Sequence, residues 1–157
     1  MSVASLAVPV VPVRRIAEYA IPEGKLVLSL EGTPPPWVEP LLKKLTQLSE
    51  LSDNWNSYGG KPVSPANAWN LWHFLTVNMR EGMPLPSLVP TRRGSVLAEW
   101  HTHGIDLEIE GVSPSRFAVS YENLTTGEAW ESELAGDSPA LIDCLRLLQI
   151  SSVPASE

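Results

Sequence analysis

The chain has 157 residues, of which 43% are hydrophobic and 18% are charged, so it can bury the core of one ordinary domain. Its formal net charge of −7 argues against non-specific binding to nucleic acid or to an anionic membrane surface, since both are themselves negative. One cysteine excludes an intramolecular disulfide, and no apolar run reaches the ~18 residues that span a bilayer. We expect a cytoplasmic protein without a signal peptide, because prolines interrupt the apolar N-terminus.

The first predicted element is an apolar arm over residues 1–32. Prolines at 9, 12 and 22 disfavour a helix or a central strand over residues 1–24, whereas residues 25–32 are apolar enough for a short strand. The arm is either a loose tail or, as we expect from its composition, a segment that contacts a protein partner or a second copy of the chain. The arm residues expected to make these contacts are Val8, Val10, Val11, Val13, Ile16 and Tyr19.

A helix is predicted over about residues 36–51, with Thr33 as a candidate N-cap. Its apolar side chains recur at helical spacing and form one stripe opposite a charged face. The segment that follows, up to residue 63, is dense in turn-forming residues, including Gly59 and Gly60. The stripe consists of Trp37, Leu41, Leu45, Leu48 and Leu51.

A second helix is predicted over about residues 65–80, where Ser64 is placed to cap it and Pro65 occupies its first position. Its main stripe is apolar, and Trp69 and His73 flank that stripe. The apolar arc is therefore wide, which indicates burial on two sides: a sheet below, and a helix or a partner beside it.

From about residue 88 the apolar period changes from 3.6 to 2. Segments 95–104, 105–111, 116–123 and 127–135 alternate between an apolar and an acidic face, with turn signals about every ten residues. A third helix, capped by Ser138, is predicted over 138–149, and residues 151–157 are expected to be loose. The fold class is therefore α+β: two helices, an antiparallel meander of three or four strands, and a C-terminal helix, with the helices on one sheet face in a single domain, residues 33–150.

Two segments, DNWNSYGGKPVSPANAW and PSLVPTRRGSVLAEW, carry a recognisable pattern. It reads N-W-D-G-Y-G-A, a Pro-Ser-Pro helix start, a Pro-Thr-x-x-Gly turn and a Leu-Glu-Trp strand. In this pattern, over about residues 48–122, the chain resembles a widespread group of small uncharacterised bacterial proteins, although Asn56 and Ser57 replace the commonest Asp-Gly. The resemblance implies an accessory protein near mobile or defence-type genes, and no particular reaction. The matching residues are Asn54, Trp55, Tyr58, Gly59, Pro62, Ser64, Pro65, Pro90, Thr91, Gly94, Glu99 and Trp100.

A metal site is one chemical hypothesis that the residues allow. Glu99, His101 and His103 are spaced by two along a strand, so their side chains share a face, and two imidazoles with a carboxylate suit zinc or iron. The alternative is a solvated polar turn, which we favour because no established metal motif is present; no cofactor is expected. Further carboxylates on the next strand are Asp106, Glu108 and Glu110.

Other reactive residues have ordinary structural explanations. Cys144 lies on the apolar stripe of the last helix, which favours a buried structural thiol over a nucleophile. The glutamates at 99, 108 and 110 could act as acid and base, or could simply form the wet face of a half-buried sheet. The basic turn at residues 91–94 could contact phosphate or an acidic partner, or could be a solvated turn.

The crowded aromatic segment after the first helix has two interpretations. Trp55 and Tyr58 could fix the crossing of the two helices, or they and Trp69 could form a surface for a partner. We predict a non-catalytic protein-binding accessory or inhibitor module, antitoxin-like or part of a defence or mobile-element complex, which binds a protein through its arm and its aromatic and acidic surfaces. The alternative is a small metal-dependent enzyme using His101, His103 and Glu99. A homo-oligomer is also open.

Overall fold

The computed structural model describes residues 14–21, 24–31, 35–113 and 115–152, with side chains for 35–113 and 115–149. Ten helices and strands follow one another along these residues. They are β1 (Arg14–Ile21), β2 (Gly24–Glu31), α1 (Val38–Ser49), α2 (Pro65–Asn78), β3 (Ser87–Pro90), β4 (Val96–Thr102), β5 (Ile105–Ser113), β6 (Arg116–Asn123), β7 (Ala129–Ala135) and α3 (Pro139–Ser152).

The fold is α+β, which confirms the predicted class. Five strands form one antiparallel sheet in sequential order, β3-β4-β5-β6-β7, between two preceding helices and one following helix. The sheet has one strand more than the upper limit predicted. The extra strand is β3, which has four residues and ends in Pro90; an edge strand tolerates proline because one side of its backbone makes no ladder bonds.

The core lies between the helices and one face of the sheet. Alternate residues of the three central strands are buried, as the period of two predicts. The inward side chains are Val96, Ala98, Trp100, Ile105, Leu107, Ile109, Phe117, Val119 and Tyr121, and they pack with Leu41, Leu42, Leu45, Leu71, Trp72, Leu75, Leu141, Leu145 and Leu148 of the helices.

The helix starts differ in one respect from the sequence prediction. The N-cap position of α1 is Trp37, without a side-chain cap bond; Thr33, the candidate N-cap, lies outside the described residues. Residues 35–38 form a turn before the helix, in which the Val38 N–H donates to the Pro35 carbonyl at 3.1 Å. By contrast, α2 begins at Pro65 directly after Ser64, as predicted, although the Ser64 hydroxyl makes no cap bond.

An N-terminal hairpin replaces part of the predicted arm. β1 pairs antiparallel with β2 over their full lengths, from Arg14 opposite Glu31 to Ile21 opposite Gly24, and β1 runs beside α1. No strand was expected before Lys25. The reason is that the prolines at 12 and 22 flank β1 without interrupting it, so its backbone donors remain available. Val8, Val10, Val11 and Val13 lie outside the described residues, and only the backbone of Ile16 and Tyr19 is described, so their partner contacts stay a prediction.

Candidate functional site

The loop between α1 and α2 is held by its own asparagines. Asn54 and Ser57 both have positive φ angles, 59° and 64°. The Asn54 side-chain oxygen accepts a hydrogen bond from the Gly59 N–H at 2.7 Å. The Asn56 side-chain oxygen accepts from the Tyr58 and Gly60 N–H groups, both at 2.9 Å. Short polar side chains that bond nearby backbone groups stabilise such compact turns.

This loop partly buries Trp55 and exposes Tyr58. Trp55 is half-buried, its indole N–H donates to the Lys61 carbonyl at 3.0 Å, and a Cβ at Gly60 would lie 2.8 Å from the same indole nitrogen. The Trp55 ring is thus part of the packing of the loop. The Tyr58 side chain is 78% exposed, so its ring is available to a partner.

The outer face of α2 carries a second apolar stripe that the wide arc had indicated. Trp69 is 50% exposed and Val77 55% exposed, with the exposed His73 between them. These positions are four residues apart, so they lie along one side of the helix. The opposite side of the helix packs into the core through Leu71, Trp72 and Leu75, among others. Because the stripe is exposed in this chain, α2 has an apolar face that no described residue covers.

Two clefts flank Trp69, which lines both. The α1–α2 cleft, about 770 Å³, lies between Leu42 and Leu45 of α1, Trp69 and Trp72 of α2, and the loop residues 61–65. The α2–α3 cleft, about 660 Å³, is lined by the outer stripe of α2, by Phe117 and by residues 135–137 before α3. Clefts of this size are typical of sites that take up ligand groups or anchor side chains. Trp69 therefore forms a half-exposed ridge between two apolar hollows.

A buried polar network adjoins the first cleft. Glu110 is 7% exposed, and both its oxygens accept hydrogen bonds from one Arg93 nitrogen, at 2.8 and 3.1 Å. The Ser95 hydroxyl also donates to Glu110 and shares a 2.5 Å hydrogen bond with the Thr91 hydroxyl. A buried carboxylate needs such partners to offset its lost hydration. This network was not predicted. The sequence pattern favoured a solvated turn for Arg93 and an exposed sheet face for Glu110, because residue spacing does not show that the turn before β4 lies beside β5.

The predicted metal residues do not converge on one point. Asp106 bonds the Nδ1 of His101 at 2.8 Å, and Glu99 lies 3.6 Å from its Nε2, so the two carboxylates occupy opposite edges of the ring. His103 lies in the turn, with a φ of 49°. Within the part of the chain that has described side chains, no group of three or more His, Cys, Asp or Glu is arranged to hold a metal ion.

The imidazole of His101 is instead part of an acidic surface. The hydrogen bond that the His101 ring donates to Asp106, with a smaller contribution from Glu99, raises the pKa of His101 above its ordinary value of 6.5, against partial desolvation. Among the glutamates considered as acid and base, Glu99 lies opposite Glu108 in the sheet, while Glu110 is paired with Arg93. The structure therefore brings Glu99 and Glu108 side by side and engages Glu110 elsewhere.

Cys144 is buried in the core. Burial, supported by the nearby charges of Glu128 and Asp143, raises the pKa of its thiol to about 11. A thiol with such a pKa carries almost no thiolate at neutral pH, which fits a packing role better than a nucleophilic one.

Comparison with known proteins identifies no relative of this chain. No protein-family model matches the chain, and neither the curated proteins nor the solved structures contain a significant match. The resemblance to the group of small bacterial proteins stays a prediction. Among the described residues, the helices are too short or too polar to cross a membrane.

Proposed function

We propose that this chain is a non-catalytic protein-binding module, and that the outer face of α2 around Trp69 is the centre of its binding surface. The single observation that carries the proposal is the half-exposed Trp69 ring between two apolar clefts. Tryptophan is among the residues that contribute most when buried at the centre of an interface. The proposed biological role is an accessory or inhibitor subunit, antitoxin-like or in a defence complex; the resemblance of the sequence motifs supports that part.

Leaving this apolar surface exposed to water costs free energy. Trp69, Val77 and Tyr58 are large apolar or amphipathic side chains with at least half of their surface exposed. Scattered apolar residues are ordinary on protein surfaces, but an aromatic ridge with a hollow on each side offers complementary shape to a partner. Burying such side chains gains about 25 cal/mol for each Å² removed from water. The two hollows allow the partner to insert side chains on either side of the indole.

A protein partner fits this surface better than nucleic acid does. The chain is acidic overall, and the outer sheet face carries glutamates directly across from one another, such as Glu99 and Glu108. Like charges across a sheet are unfavourable, and a basic partner surface would relieve that repulsion. The apolar N-terminal arm is a proposed second contact, since extended segments bind along grooves and sheet edges.

Site-specific photo-crosslinking tests the proposal. A benzophenone amino acid is placed at position 69, and a matched control at Leu124, which is 61% exposed and lies between β6 and β7, away from both clefts. In the native host cells, irradiation is expected to link position 69, and not position 124, to one defined protein that then forms a complex with the purified chain. Equal labelling at both positions, or labelling at 69 that yields no complex on reconstitution, would contradict the proposed site.

A further inference from the structure

The α1–α2 cleft has cationic side chains in a mostly apolar lining. Lys61 and Arg93 line it together with Leu42, Trp69 and Trp72, and Asp53 is the one carboxylate in the described lining. Because Arg93 is also paired with Glu110, the cleft offers an anion unused N–H donors on Lys61 and Arg93 rather than a net positive charge. Apolar walls beside such donors indicate a ligand that is itself apolar and negative.

Backbone pairing fixes the two cationic residues relative to each other. The Lys61 N–H donates to the Arg92 carbonyl at 3.1 Å, and the Ser64 N–H donates to the Gly94 carbonyl at 2.7 Å. Gly94 has a φ of 86°, and a Cβ there would lie 2.6 Å from the Pro62 carbonyl oxygen. The turn that carries Arg93 is thus seated directly on the segment that carries Lys61, and the close approach requires glycine.

The hydrogen-bonding capacity of Arg93 is only partly used. One of its terminal nitrogens bonds both oxygens of Glu110, whereas its side chain is 75% exposed. The other guanidinium nitrogens make no hydrogen bond to the described residues, and Lys61 forms no ion pair with them. Because Glu110 is itself held by Ser95, the guanidinium is oriented before any ligand arrives, which lowers the entropic cost of binding.

We propose that the α1–α2 cleft recognises a partner segment in which an apolar side chain stands beside an aspartate or glutamate. The apolar side chain packs between Trp69 and the leucines of α1, and the carboxylate accepts hydrogen bonds from the free N–H groups of Arg93, with Lys61 beside it. This inference rests on the proposed function and adds the chemistry of the partner. The acidic sheet face and this cationic cleft would then contact opposite charges on the partner.

A random peptide library displayed on phage tests the inference without knowledge of the partner. Selection is run on the full chain, on Trp69→Ala, on Lys61→Gln and on the double variant Arg93→Gln/Glu110→Gln, which removes the cation without leaving a buried carboxylate unpaired. Arg92→Gln is the matched control, since Arg92 lies in the same turn but outside the cleft lining. Peptides selected on the full chain are expected to share an acidic residue next to an aromatic or aliphatic one.

Affinities of the selected peptide then measure the charge recognition. Replacing its acidic residue by the amide is expected to weaken binding to the full chain and to Arg92→Gln at least about tenfold at low salt, because hydrogen bonds to charged groups are the strong ones. The same replacement should weaken binding less than about twofold on the double variant and by an intermediate factor on Lys61→Gln. The exposed Lys61 side chain has no ion-pair partner among the described residues, so folding does not need it. Trp69→Ala should weaken both peptides alike.

Several outcomes would overturn the inference. Selected peptides without an acidic residue, an acid-to-amide effect that persists on the double variant, or no saturable peptide binding at all would each do so. Binding of decanoate in the cleft without any peptide binding would also overturn it, in favour of a small amphipathic acid. Peptides that need Trp69 but show no acidic preference would refute this inference alone and leave the proposed function standing, whereas binding that ignores Trp69 would refute the proposed function.

Discussion

At the scale of single residues, the turn at Gly94 locks the loop before α2 to the sheet. Gly94→Ala is expected to lower the free energy of unfolding by about 2–4 kcal/mol, because a positive φ and a clash with the Pro62 carbonyl oxygen at 2.6 Å act together. Gly127→Ala is the matched control: its φ is 78° but nothing lies within 4 Å of the added Cβ, so it should cost only about 1–2 kcal/mol. Chemical denaturation measures both; equal losses would refute the close approach at Gly94.

Ser57 occupies a backbone conformation that glycine adopts more easily. Its φ is 64°, which lies in the left-handed region that favours glycine. Ser57→Gly is therefore expected to raise the free energy of unfolding by about 0.5–1 kcal/mol, the net of relieved left-handed strain and added chain entropy. Ser57→Ala keeps the Cβ and should leave stability nearly unchanged. A thermal melt in which Gly is no better than Ala would argue against strain at this turn.

His101 links stability to pH in a direction that can be derived. Its folded-state pKa is raised above the ordinary 6.5, first by the Asp106 hydrogen bond. Its stabilising contribution is therefore fully present below pH 6.5 and is lost as the pH rises through the raised folded-state pKa. In an NMR titration, Asp106→Asn should lower the pKa of His101 more than Glu99→Gln does. A His101 pKa that is unchanged in Asp106→Asn would contradict this assignment.

At the scale of elements, α2 and the sheet could be predicted well, and the reasons are local. Pro65 marks the start of α2, and the alternation along β4, β5 and β6 fixes which side chains face the core. The wide apolar arc of α2 indicated two contact sides, and the structure shows one of them packed and the other exposed. The periodic pattern marks the second side as apolar and carries no information on what contacts it.

Two other features could not be predicted, for different physical reasons. The prolines at positions 12 and 22 argued against a strand in this region, although β1 lies between them and contains no proline itself. The network around Glu110 depends on the seating of the 91–95 turn beside β5, and such tertiary contacts leave no periodic signal in the sequence. The Arg93 and Glu110 side chains were each singled out separately, yet only the fold reveals their pairing.

The β1–β2 hairpin changes how the arm should be tested. Removing residues 1–24 would take away β1 and leave β2 unpaired, so we compare removal of residues 1–13 with removal of 1–34. Both truncated chains are expected to fold, since the core between helices and sheet draws on residues 38–148. Both should bind the native partner at least about tenfold more weakly, because the valines at positions 8–13 offer apolar surface to an interface. If calorimetry shows that the truncated chains bind as tightly as the full chain, the arm makes no contribution to partner binding.

At the scale of the whole molecule, the core and the exposed side of α2 have different proposed roles. The sheet and its covering helices form a rigid frame with a core of large apolar side chains, and the exposed side of α2 presents Trp69 between two clefts. An aromatic side chain on a helix packed against the sheet loses little freedom on binding, which favours recognition of a partner. The proposal therefore makes the surface of α2, rather than any set of titratable groups, the centre of function.

The most direct test of that claim is the dissociation constant of the purified partner for Trp69→Ala, measured by calorimetry beside Leu124→Ala. Both positions are at least half exposed, so neither change should alter folding, which circular dichroism can verify. The account predicts that Trp69→Ala raises the dissociation constant at least about 30-fold, the effect of losing an interface hot spot, while Leu124→Ala changes it less than about threefold. A partner that binds both variants as tightly as the unaltered chain would contradict the account.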